Sequence, residues 1–552
     1  MTARTALPAT LLRSLAPFGV VQVRRLLDCL YILQLERYRA DRYGRWIAAR
    51  LGQLVPRLEV GAQLLTLALM AAAVRVGAPW PIPLLVWVLG GIPALRAQRP
   101  LQVSQRLQWT PRTGRVAAAV GLIDALLFGA GLWAAGSGLS GFDLPGRLIA
   151  GGAAGLALAG LLTPWAVWLA AGLMGPLEAA VARRFLADAA RRMARYPGRV
   201  IGITGSYGKT TTKHIVGELL AARFRVFKTP AGVNTTMGIT RVIREELSDQ
   251  HEIFVVEASA YGPGEIAEVC GIVRPTLGIL TAVGVQHLER FGTPERIAEA
   301  KYELIAALPD AGPAVINADD PVCLRLAERA RAEGKRVLLY GLEAHPALAL
   351  RGTILSVSGR GTRFRAATAA GETAELETRL LGRWNISNIL AGLAAGVEVG
   401  IPLAAMTERV ANLAAAPRRL EITEAGGITR ILDVANANPR GAEMALEVLA
   451  QIEGGSRILI TPGMVELGPV EAEENRAFGR KAAAVCDHVV LVGPRQTAPI
   501  RQGLLEGGFA AERIVTVRHA DQVADRLAGI VRPGDVLLYE NRLPDTYLEV
   551  EP

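Results

Sequence analysis

Long apolar runs fill the first third of the chain, whereas short apolar runs separated by polar turns fill the rest. The long runs lie at residues 58–74, 79–95, 116–136 and 148–174. A helix needs roughly 17 to 25 apolar residues to cross a bilayer, so these runs predict about four transmembrane helices. Residues 10–55 instead mix Leu, Val and Ile with Arg, a pattern typical of a basic amphipathic helix on an anionic membrane surface.

The pattern changes at residue 197, where short strand-like and helical runs begin to alternate. Residues 199–203 and 253–256 are continuous apolar runs of strand length, and a glycine-rich loop and a helical run follow the first of them. Such alternation favours a parallel α/β sheet that binds its ligand at the carboxyl ends of the strands. We therefore predict a helical membrane unit at residues 1–196, a nucleotide-binding α/β domain at 197–416 and a second α/β domain at 417–552.

The distribution of charge supports this division. The 552 residues carry 61 Lys and Arg against 51 Asp and Glu, a net charge of +10. Residues 1–200 hold 23 Arg, no Lys and 8 acidic residues, so the whole positive excess lies beside the long apolar runs. Arg is frequent in residues 96–115 and 183–199, whereas residues 137–146 contain no basic residue. Because basic loops stay in the cytoplasm, we expect a multi-pass cell-membrane protein with cytoplasmic α/β domains and no nucleic-acid partner.

The string TGSYGKTTTK at residues 204–213 indicates a phosphate-binding loop. It lies between a predicted strand and a predicted helix, the order in which backbone N–H groups surround a phosphate. Lys209 can neutralise charge on the β- and γ-phosphates of ATP, and Thr210 can ligate Mg²⁺. Glu257 ends the next strand, where an acidic magnesium ligand is expected. The predicted nucleotide-binding residues of the loop are Gly205, Ser206, Tyr207, Gly208, Lys209, Thr210 and Thr211.

Further motifs follow in a fixed order along residues 197–552. They read TGSYGKTT, GPGEIAEV, QHL, NADD, LLGRWNISNILAG, RRL, DVANANP, MVELG and PGDVLL. Together they resemble the Mur ligases, ATP-dependent amide-forming enzymes of cell-wall synthesis, and most of all the MurF type, the UDP-N-acetylmuramoyl-tripeptide–D-alanyl-D-alanine ligases. The resemblance implies a central P-loop ATPase domain followed by a C-terminal Rossmann-like domain.

The resemblance also implies roles for single residues. Glu257 would hold Mg²⁺, and His287 would hold a second metal ion or belong to its shell. Lys301 matches a lysine that is carbamylated in several family members and helps to hold that metal. The residues implied to contact substrate near the acyl phosphate are Asn234 and Thr235. The further residues implied to contact the nucleotide are Asn317, Arg419, Asp433 and Asn436.

The implied activity is an ATP-dependent amide ligation through an acyl phosphate, with an amino acid or dipeptide as the amine and a cell-wall precursor as the carboxylate. The membrane unit takes the place of the UDP-binding domain of the MurF type, so we expect a lipid-linked precursor at the cytoplasmic membrane face. Two alternatives remain at this stage. One is a Mur-like ligase for another carboxylate or an amino-acid polymer. The other is an ATP-regulated transporter or scaffold, although no His or Lys lies in the four apolar runs.

Overall fold

A computed structural model describes residues 16–79, 81–97, 107–138, 144–435 and 437–543. These residues divide after Val181 into two compact units, a helical unit and an α/β unit. Each unit has its own buried cores, and each is described separately below.

The helical unit follows the apolar runs of the sequence. Its described helices are α1 (Ala16–Leu35), α2 (Ala40–Leu54), α3 (Arg57–Arg75), α4 (Pro81–Ala97), α5 (Pro111–Gly138) and α6 (Leu144–Arg195), the last of which continues into the α/β unit. Three segments of the described residues are long and apolar enough to cross a membrane: Arg57–Arg75, Pro111–Ala135 and Leu148–Arg195. The fourth predicted span forms α4, which at 17 residues falls short of that length.

Helices α5 and α6 approach each other through glycines. A Cβ atom on Gly155 would lie 2.7 Å from the Cα of Phe128, and one on Gly151 would lie 2.5 Å from the carbonyl oxygen of Gly131. Only residues without a side chain allow such close backbone contact, which is a common way for helices to pack in lipid. The opposite faces carry large apolar side chains, and Leu126 and Trp133 are 66% and 76% exposed.

The α/β unit contains two sheets. The first has nine strands in the order β2-β3-β1-β4-β5-β6-β7-β8-β9. Its strands are β1 (Arg199–Thr204), β2 (Val226–Lys228), β3 (Ile253–Glu257), β4 (Leu277–Leu280), β5 (Pro313–Asn317), β6 (Arg336–Gly341), β7 (Leu348–Ser358), β8 (Gly361–Thr368) and β9 (Thr373–Thr378). The sheet is parallel as far as β7, which confirms the predicted parallel α/β sheet. Strands β7 to β9 form an antiparallel meander that the sequence analysis did not anticipate.

The second sheet has six strands in the order β10-β11-β15-β12-β13-β14, and only the β10–β11 pair is antiparallel. Its strands are β10 (Glu421–Ala425), β11 (Ile428–Asp433), β12 (Arg457–Thr461), β13 (His488–Val492), β14 (Ile514–Val517) and β15 (Val536–Glu540). Strand β15 therefore lies in the middle of the sheet, between β11 and β12. This places the last residue of β15 between the carboxyl ends of two parallel neighbours.

Helices cover both sheets. Those after β1 and before β10 are α7 (Lys209–Leu220), α8 (Thr236–Glu245), α9 (Glu265–Val273), α10 (Leu288–Phe291), α11 (Pro294–Ala306), α12 (Pro321–Ala332), α13 (Arg383–Glu398) and α14 (Leu403–Ala411). Those of the second sheet are α15 (Pro439–Gln451), α16 (Glu471–Val485), α17 (Ala498–Glu506) and α18 (Val523–Leu527). Three of these helices begin with a Pro that follows a side-chain cap, at Thr293, Asp320 and Asn438, because Pro fits the first turn where no N–H donor is needed.

Candidate active site

The phosphate-binding loop joins β1 to α7 and is shaped by its glycines. Gly205 and Gly208 have φ values of +149° and +78°, which side-chain-bearing residues rarely adopt. A Cβ atom on Gly205 would lie 2.2 Å from Thr281 Oγ1. Lys209 turns back over the loop and donates hydrogen bonds from Nζ to the carbonyl oxygens of Gly205 at 2.7 Å and Ser206 at 2.9 Å. The lysine is thus held inside the curve where phosphate oxygens are expected.

Glu257 forms a buried charged centre beside this loop. It ends β3 and is 1% exposed. Its Oε1 accepts hydrogen bonds from Thr210 Oγ1 and Asn234 Nδ2, both at 3.1 Å. Its Oε2 lies 3.0 Å from Lys213 Nζ as an ion pair. Strand pairing explains the proximity, since β3 lies next to β1 and their carboxyl ends meet at one edge of the sheet.

Mutual burial shifts the pKa values at this centre. Burial lowers the pKa of Lys209 to about 8, with Glu257 opposing the shift and Arg419 adding to it. Burial alone would raise the pKa of Glu257, but the charges of Lys213 and Lys209 outweigh it, so the net shift is downward. Glu257 is therefore an ionised carboxylate at neutral pH, as a cation ligand must be.

These residues fit a magnesium ion. Glu257 is a buried, ionised carboxylate whose Oε2 already lies against a positive charge, Lys213 Nζ, at 3.0 Å, and the Thr210 hydroxyl lies against the other oxygen of the same carboxylate. Mg²⁺ bound with a nucleotide takes one or two protein oxygens and completes its shell with phosphate and water. No group of three His, Cys, Asp or Glu side chains that could hold a metal occurs in the described residues, so Glu257 and Thr210 are the protein donors that the geometry supports.

A cavity next to the loop collects most of the predicted nucleotide-binding residues. Its walls include Tyr207, Gly208 and Thr211 from the loop and α7, and Asn317 from the end of β5. Arg419, just before β10, and Asp433, at the end of β11, line it from the domain of the second sheet. The cavity is therefore built by both sheets, with the phosphate loop on one side and the charged pair of the second sheet on the other.

The backbone around Arg419 is strained. Its neighbours Arg418 and Leu420 have φ values of +61° and +48°, a conformation that costs non-glycine residues on the order of 1 kcal/mol or more. Arg419 partly offsets the effect of burial on Asp433, whose pKa burial raises to about 6. Backbone strain of this kind is retained where it fixes the direction of a side chain, and here it fixes Arg419, which lines the cavity.

The other predicted residues occupy several positions. Asn317 donates from Nδ2 to the carbonyl oxygen of Thr281 at 2.7 Å, so its amide is oriented within the sheet edge. Thr235 caps α8 by accepting from the N–H of Gly238 at 3.3 Å, which is a structural role. Asn436 lies outside the described residues.

His287 and Lys301 contact side chains other than Glu257, and both lie within electrostatic range of Lys209. His287 has a φ of +61° and bonds through Nδ1 to Glu466 of the second sheet's domain. Burial lowers the pKa of Lys301 to about 7, with Lys209 adding to the shift, and Lys301 Nζ lies 5.6 Å from the ring centroid of Phe291. Carbamylation needs a neutral amine, which this environment favours. The metal-binding roles of His287 and Lys301 stay predictions.

Sequence reasoning missed three participants. Lys213 belongs to the TGSYGKTTTK string, and Glu466 belongs to MVELG, yet neither was assigned a role. Arg440 stacks over Trp384, with the guanidinium 5.1 Å from the ring centroid, and both line the cavity. Each of these residues lies in or beside a sequence motif, which is the signal that could have identified it. The residue it contacts lies 44 to 179 positions away in the chain, so the contact itself leaves no local pattern.

Comparisons with known proteins agree with this geometry. Residues 203–396 match the family described as Mur ligase middle domain, and residues 418–539 match Mur ligase, glutamate ligase domain. The UDP-N-acetylmuramoyl-tripeptide–D-alanyl-D-alanine ligase of Bacillus subtilis is 30% identical over 352 residues, covering 62% of this chain and 72% of the relative. The enzyme of the same name from Mycobacterium leprae is 33% identical over 368 residues, covering 61% and 70%.

Solved structures give the same result. The MurF ligase of Thermotoga maritima in complex with ADP superposes with a TM-score of 0.58 at 26% identity, over 66% of this chain and 81% of that one. MurF from Acinetobacter baumannii superposes with a TM-score of 0.60 at 23% identity, over 66% and 78%, which supports the fold.

Proposed function

Because this chain belongs to the Mur ligase family, we propose that it is a membrane-anchored ligase that joins an amino acid or dipeptide to a carboxylate of a cell-wall precursor. The observation that carries the proposal is the shared cavity, in which the phosphate loop faces Arg419 and Asp433 of the other sheet. A nucleotide bound there would touch both sheets. Its γ-phosphate would lie beside Lys209 and Glu257.

The chemistry follows from the leaving group. A carboxylate is a poor acyl donor, since oxide cannot leave. Transfer of the γ-phosphoryl group to a carboxylate oxygen gives an acyl phosphate and ADP. Attack of the amine on the carbonyl carbon then forms the amide, releases phosphate and frees a proton. Lys209 would neutralise charge that develops on the transferred group, while Thr210 and Glu257 would hold a Mg²⁺ ion, which would supply further charge stabilisation.

Water competes with the amine for an acyl phosphate, so the site has to exclude it. Trp384 belongs to the domain of the first sheet and Arg440 to the domain of the second. The two stacked side chains line the cavity together, which supports the exclusion of water. Asn234 would lie close to the acyl phosphate through its contact with Glu257.

The carboxylate substrate is proposed to be lipid-linked and presented at the cytoplasmic face. The relatives are named for a UDP-linked tripeptide and D-alanyl-D-alanine, whereas this chain has a helical unit with three candidate membrane spans ahead of its α/β unit. The amine is left open as an amino acid or dipeptide, because Val434 and Ala435 replace the Ser and Tyr common at this point of the MurF motif.

Topology is part of the proposal. If α4 crosses the membrane together with the three longer helices, the basic segments on both sides of the helical unit lie in the cytoplasm. Protease digestion of intact vesicles tests this directly: the α/β unit should be cut only from the cytoplasmic side. Cleavage from the outer side would contradict it.

The activity test uses the full chain in detergent or nanodiscs with ATP, Mg²⁺, a panel of lipid-linked and UDP-linked wall precursors, and candidate amines. We expect phosphate release that needs both a carboxylate and an amine, with a matching amide detected by mass spectrometry. Lys209→Met serves as the inactive control. Phosphate release that no wall precursor stimulates would exclude the proposed substrate class.

A further inference from the structure

Three polar side chains form a row across the carboxyl ends of three neighbouring strands of the second sheet. Asp433 ends β11, Glu540 ends β15 and Thr461 ends β12. Asp433 and Glu540 are partners in the register of β11 and β15, and the N–H of Asn541 donates to the carbonyl oxygen of Asp433 at 2.9 Å. Residues paired in this way project from the same face of a sheet. The two carboxyl groups are therefore neighbours, and Asp433 lines the nucleotide cavity.

Glu540 is fully buried and has a single hydrogen-bond donor. It is 0% exposed, and its Oε2 accepts from Thr461 Oγ1 at 2.5 Å. The same hydroxyl accepts from the N–H of Gly463 at 3.0 Å, so its one proton is directed to Glu540. Oε1 is buried and has no hydrogen-bond partner among the described residues. Burial disfavours an ionised carboxylate with a bare oxygen, so a neutral carboxyl group fits this place, with its proton on Oε1.

The charged groups around the row favour the same state. Burial raises the pKa of Glu540 to about 8, the Thr461 bond opposes the shift, and the charge of Asp433 adds to it. Arg419 acts on Asp433, whose pKa it lowers against the effect of burial. Helix α15 packs against β15, and its charged side chains contact other groups: Arg440 stacks over Trp384, Glu443 pairs with Lys481, and Glu447 lies in the field of Glu443, Arg383 and Lys481. The row thus has one cation, Arg419, for one ionised carboxylate, Asp433.

We propose that Glu540 is a positioning residue that acts as a neutral carboxylic acid behind Asp433, so that a bound nucleotide meets one carboxylate balanced by Arg419 and not two carboxylates. This rests on the proposed function, which places a nucleotide in the cavity. A nucleotide is itself an anion, and an ionised Glu540 would add a second buried negative charge near it. Nucleotide binding and protonation of Glu540 therefore favour each other, to the same extent in both directions.

The coupling fixes the sign of the pH dependence. Below the pKa of Glu540 the group is already neutral, and ADP binds without a change in its protonation. Above that pKa, ADP binding has to take up a proton, so the affinity falls as pH rises. A shift of one pK unit between the free and the bound protein corresponds to about a tenfold fall. Lys209, whose pKa is about 8, loses its charge over the same range, so the effect is the difference between the parent protein and a Glu540 variant.

The test is the affinity for ADP, measured by calorimetry on the full chain in detergent with Mg²⁺, between about pH 6.5 and pH 9.5. Glu540→Gln is neutral at every pH and keeps an oxygen that accepts from Thr461. We expect it to match the parent within about twofold at the low end and to bind ADP about tenfold more tightly at the high end. Glu424→Gln removes an exposed carboxylate of β10 and, as the matched control, should follow the parent throughout. An effect of Glu540→Gln that is the same at every pH, or absent, would overturn the proposal.

Thr461 gives a second test that leaves the carboxyl group in place, should Glu540→Gln fail to fold. Its hydroxyl stabilises the ionised form of Glu540, so Thr461→Val should move the loss of ADP affinity to higher pH. Thr461→Ser keeps the hydroxyl and should leave the profile unchanged. Weaker binding by Thr461→Val at every pH, without a shift of the profile, would contradict the proposal. ADP binding needs neither a carboxylate nor an amine substrate, so a failure to form amides would count against the ligase function alone.

Discussion

The helical unit and the α/β unit differ in what lies at the contacts between their elements, although both have buried cores. In the helical unit, Gly151 and Gly155 lie at the α5–α6 contact while Trp133 faces outward. In the α/β unit, Ile201 and Phe254 are fully buried in the sheet. The difference is the one that the proposed membrane location of the helical unit predicts. Lipid would offer no gain for hiding large apolar side chains, so close backbone packing would decide the contact, whereas water drives the same side chains inward.

Buried charge differs as well. The helical unit buries an ion pair, Arg25 with Glu59, and Arg25 also donates to the carbonyl oxygen of Leu54 at 2.8 Å. The α/β unit buries two carboxylates at strand ends, Glu257 and Glu540. Glu257 pairs with Lys213, whereas Glu540 Oε1 and Glu59 Oε2 of the helical unit both lack a hydrogen bond. The comparison teaches that a position at the carboxyl end of a parallel strand, and not incomplete hydrogen bonding alone, is the better guide to chemistry in this chain.

The largest expected effect follows from removing the phosphate-loop lysine. Lys209→Met deletes the ammonium group that hydrogen-bonds inside the loop, to the carbonyl oxygens of Gly205 and Ser206. We expect amine-dependent phosphate release to fall by about 10³-fold, the scale of losing one preorganised electrostatic group. Lys335 lies just before β6, at the amino end of the strands and so opposite the phosphate loop, and Lys335→Met is the control, which should keep activity. Equal activity of the two variants would show that Lys209 takes no part in the reaction.

A pH-dependent effect is expected at Glu540. Burial raises its pKa to about 8, against 4.5 as the ordinary value, with Thr461 opposing the shift. Between these pH values the folded protein binds the proton more tightly than the unfolded chain does, so the group lowers stability by about 1.4 kcal/mol for each pH unit of increase. Glu540→Gln removes this dependence. Hydrogen exchange at β15 between pH 5 and 8 measures it.

The control for that prediction is Glu424→Gln, because Glu424 is exposed on strand β10 of the same sheet. Its pH dependence should match that of the parent protein. If Glu540→Gln also leaves the slope unchanged, the carboxyl group does not carry the proposed proton.

Much of the architecture could be predicted from the sequence. The phosphate loop, Glu257 at the end of β3 and the starts of the apolar helices follow from the sequence within a few residues, because motif spacing and periodicity are local signals. The last of these helices continues to Arg195, well beyond the predicted run at 148–174. The Glu257 pair with Lys213 and the His287 pair with Glu466 could not be predicted. They depend on which strands become neighbours and on how two sheets meet, and a single sequence records neither. The antiparallel β7–β9 meander was missed for the same reason.

A smaller effect is expected from filling the helix contact. Gly155→Leu places a side chain where a Cβ already lies 2.7 Å from Phe128 Cα, so α5 and α6 must separate, at a loss of about 1–3 kcal/mol. Gly172 lies in the same helix, and a Cβ atom added there would have no heavy atom within 4 Å. Gly172→Leu is therefore the matched control. Unfolding of the helical unit in detergent measures the loss. A similar loss in both variants would show that helix propensity, and not close packing, is responsible.

The smallest effect is expected from the charged pair at the helical unit's basic end. Arg115 bonds to both oxygens of Glu178, at 2.6 and 2.9 Å, and is 35% exposed. Solvent screens such a pair, and Arg112 stays 3.7 Å from the same carboxylate, so Arg115→Gln should lower stability by about 1 kcal/mol or less. The free energies of unfolding of Arg115→Gln and Gly155→Leu, measured side by side in detergent, test which substitution costs more. If Arg115→Gln proved the more damaging, charge and not glycine packing would hold this unit together, and the contrast with the α/β unit would fail.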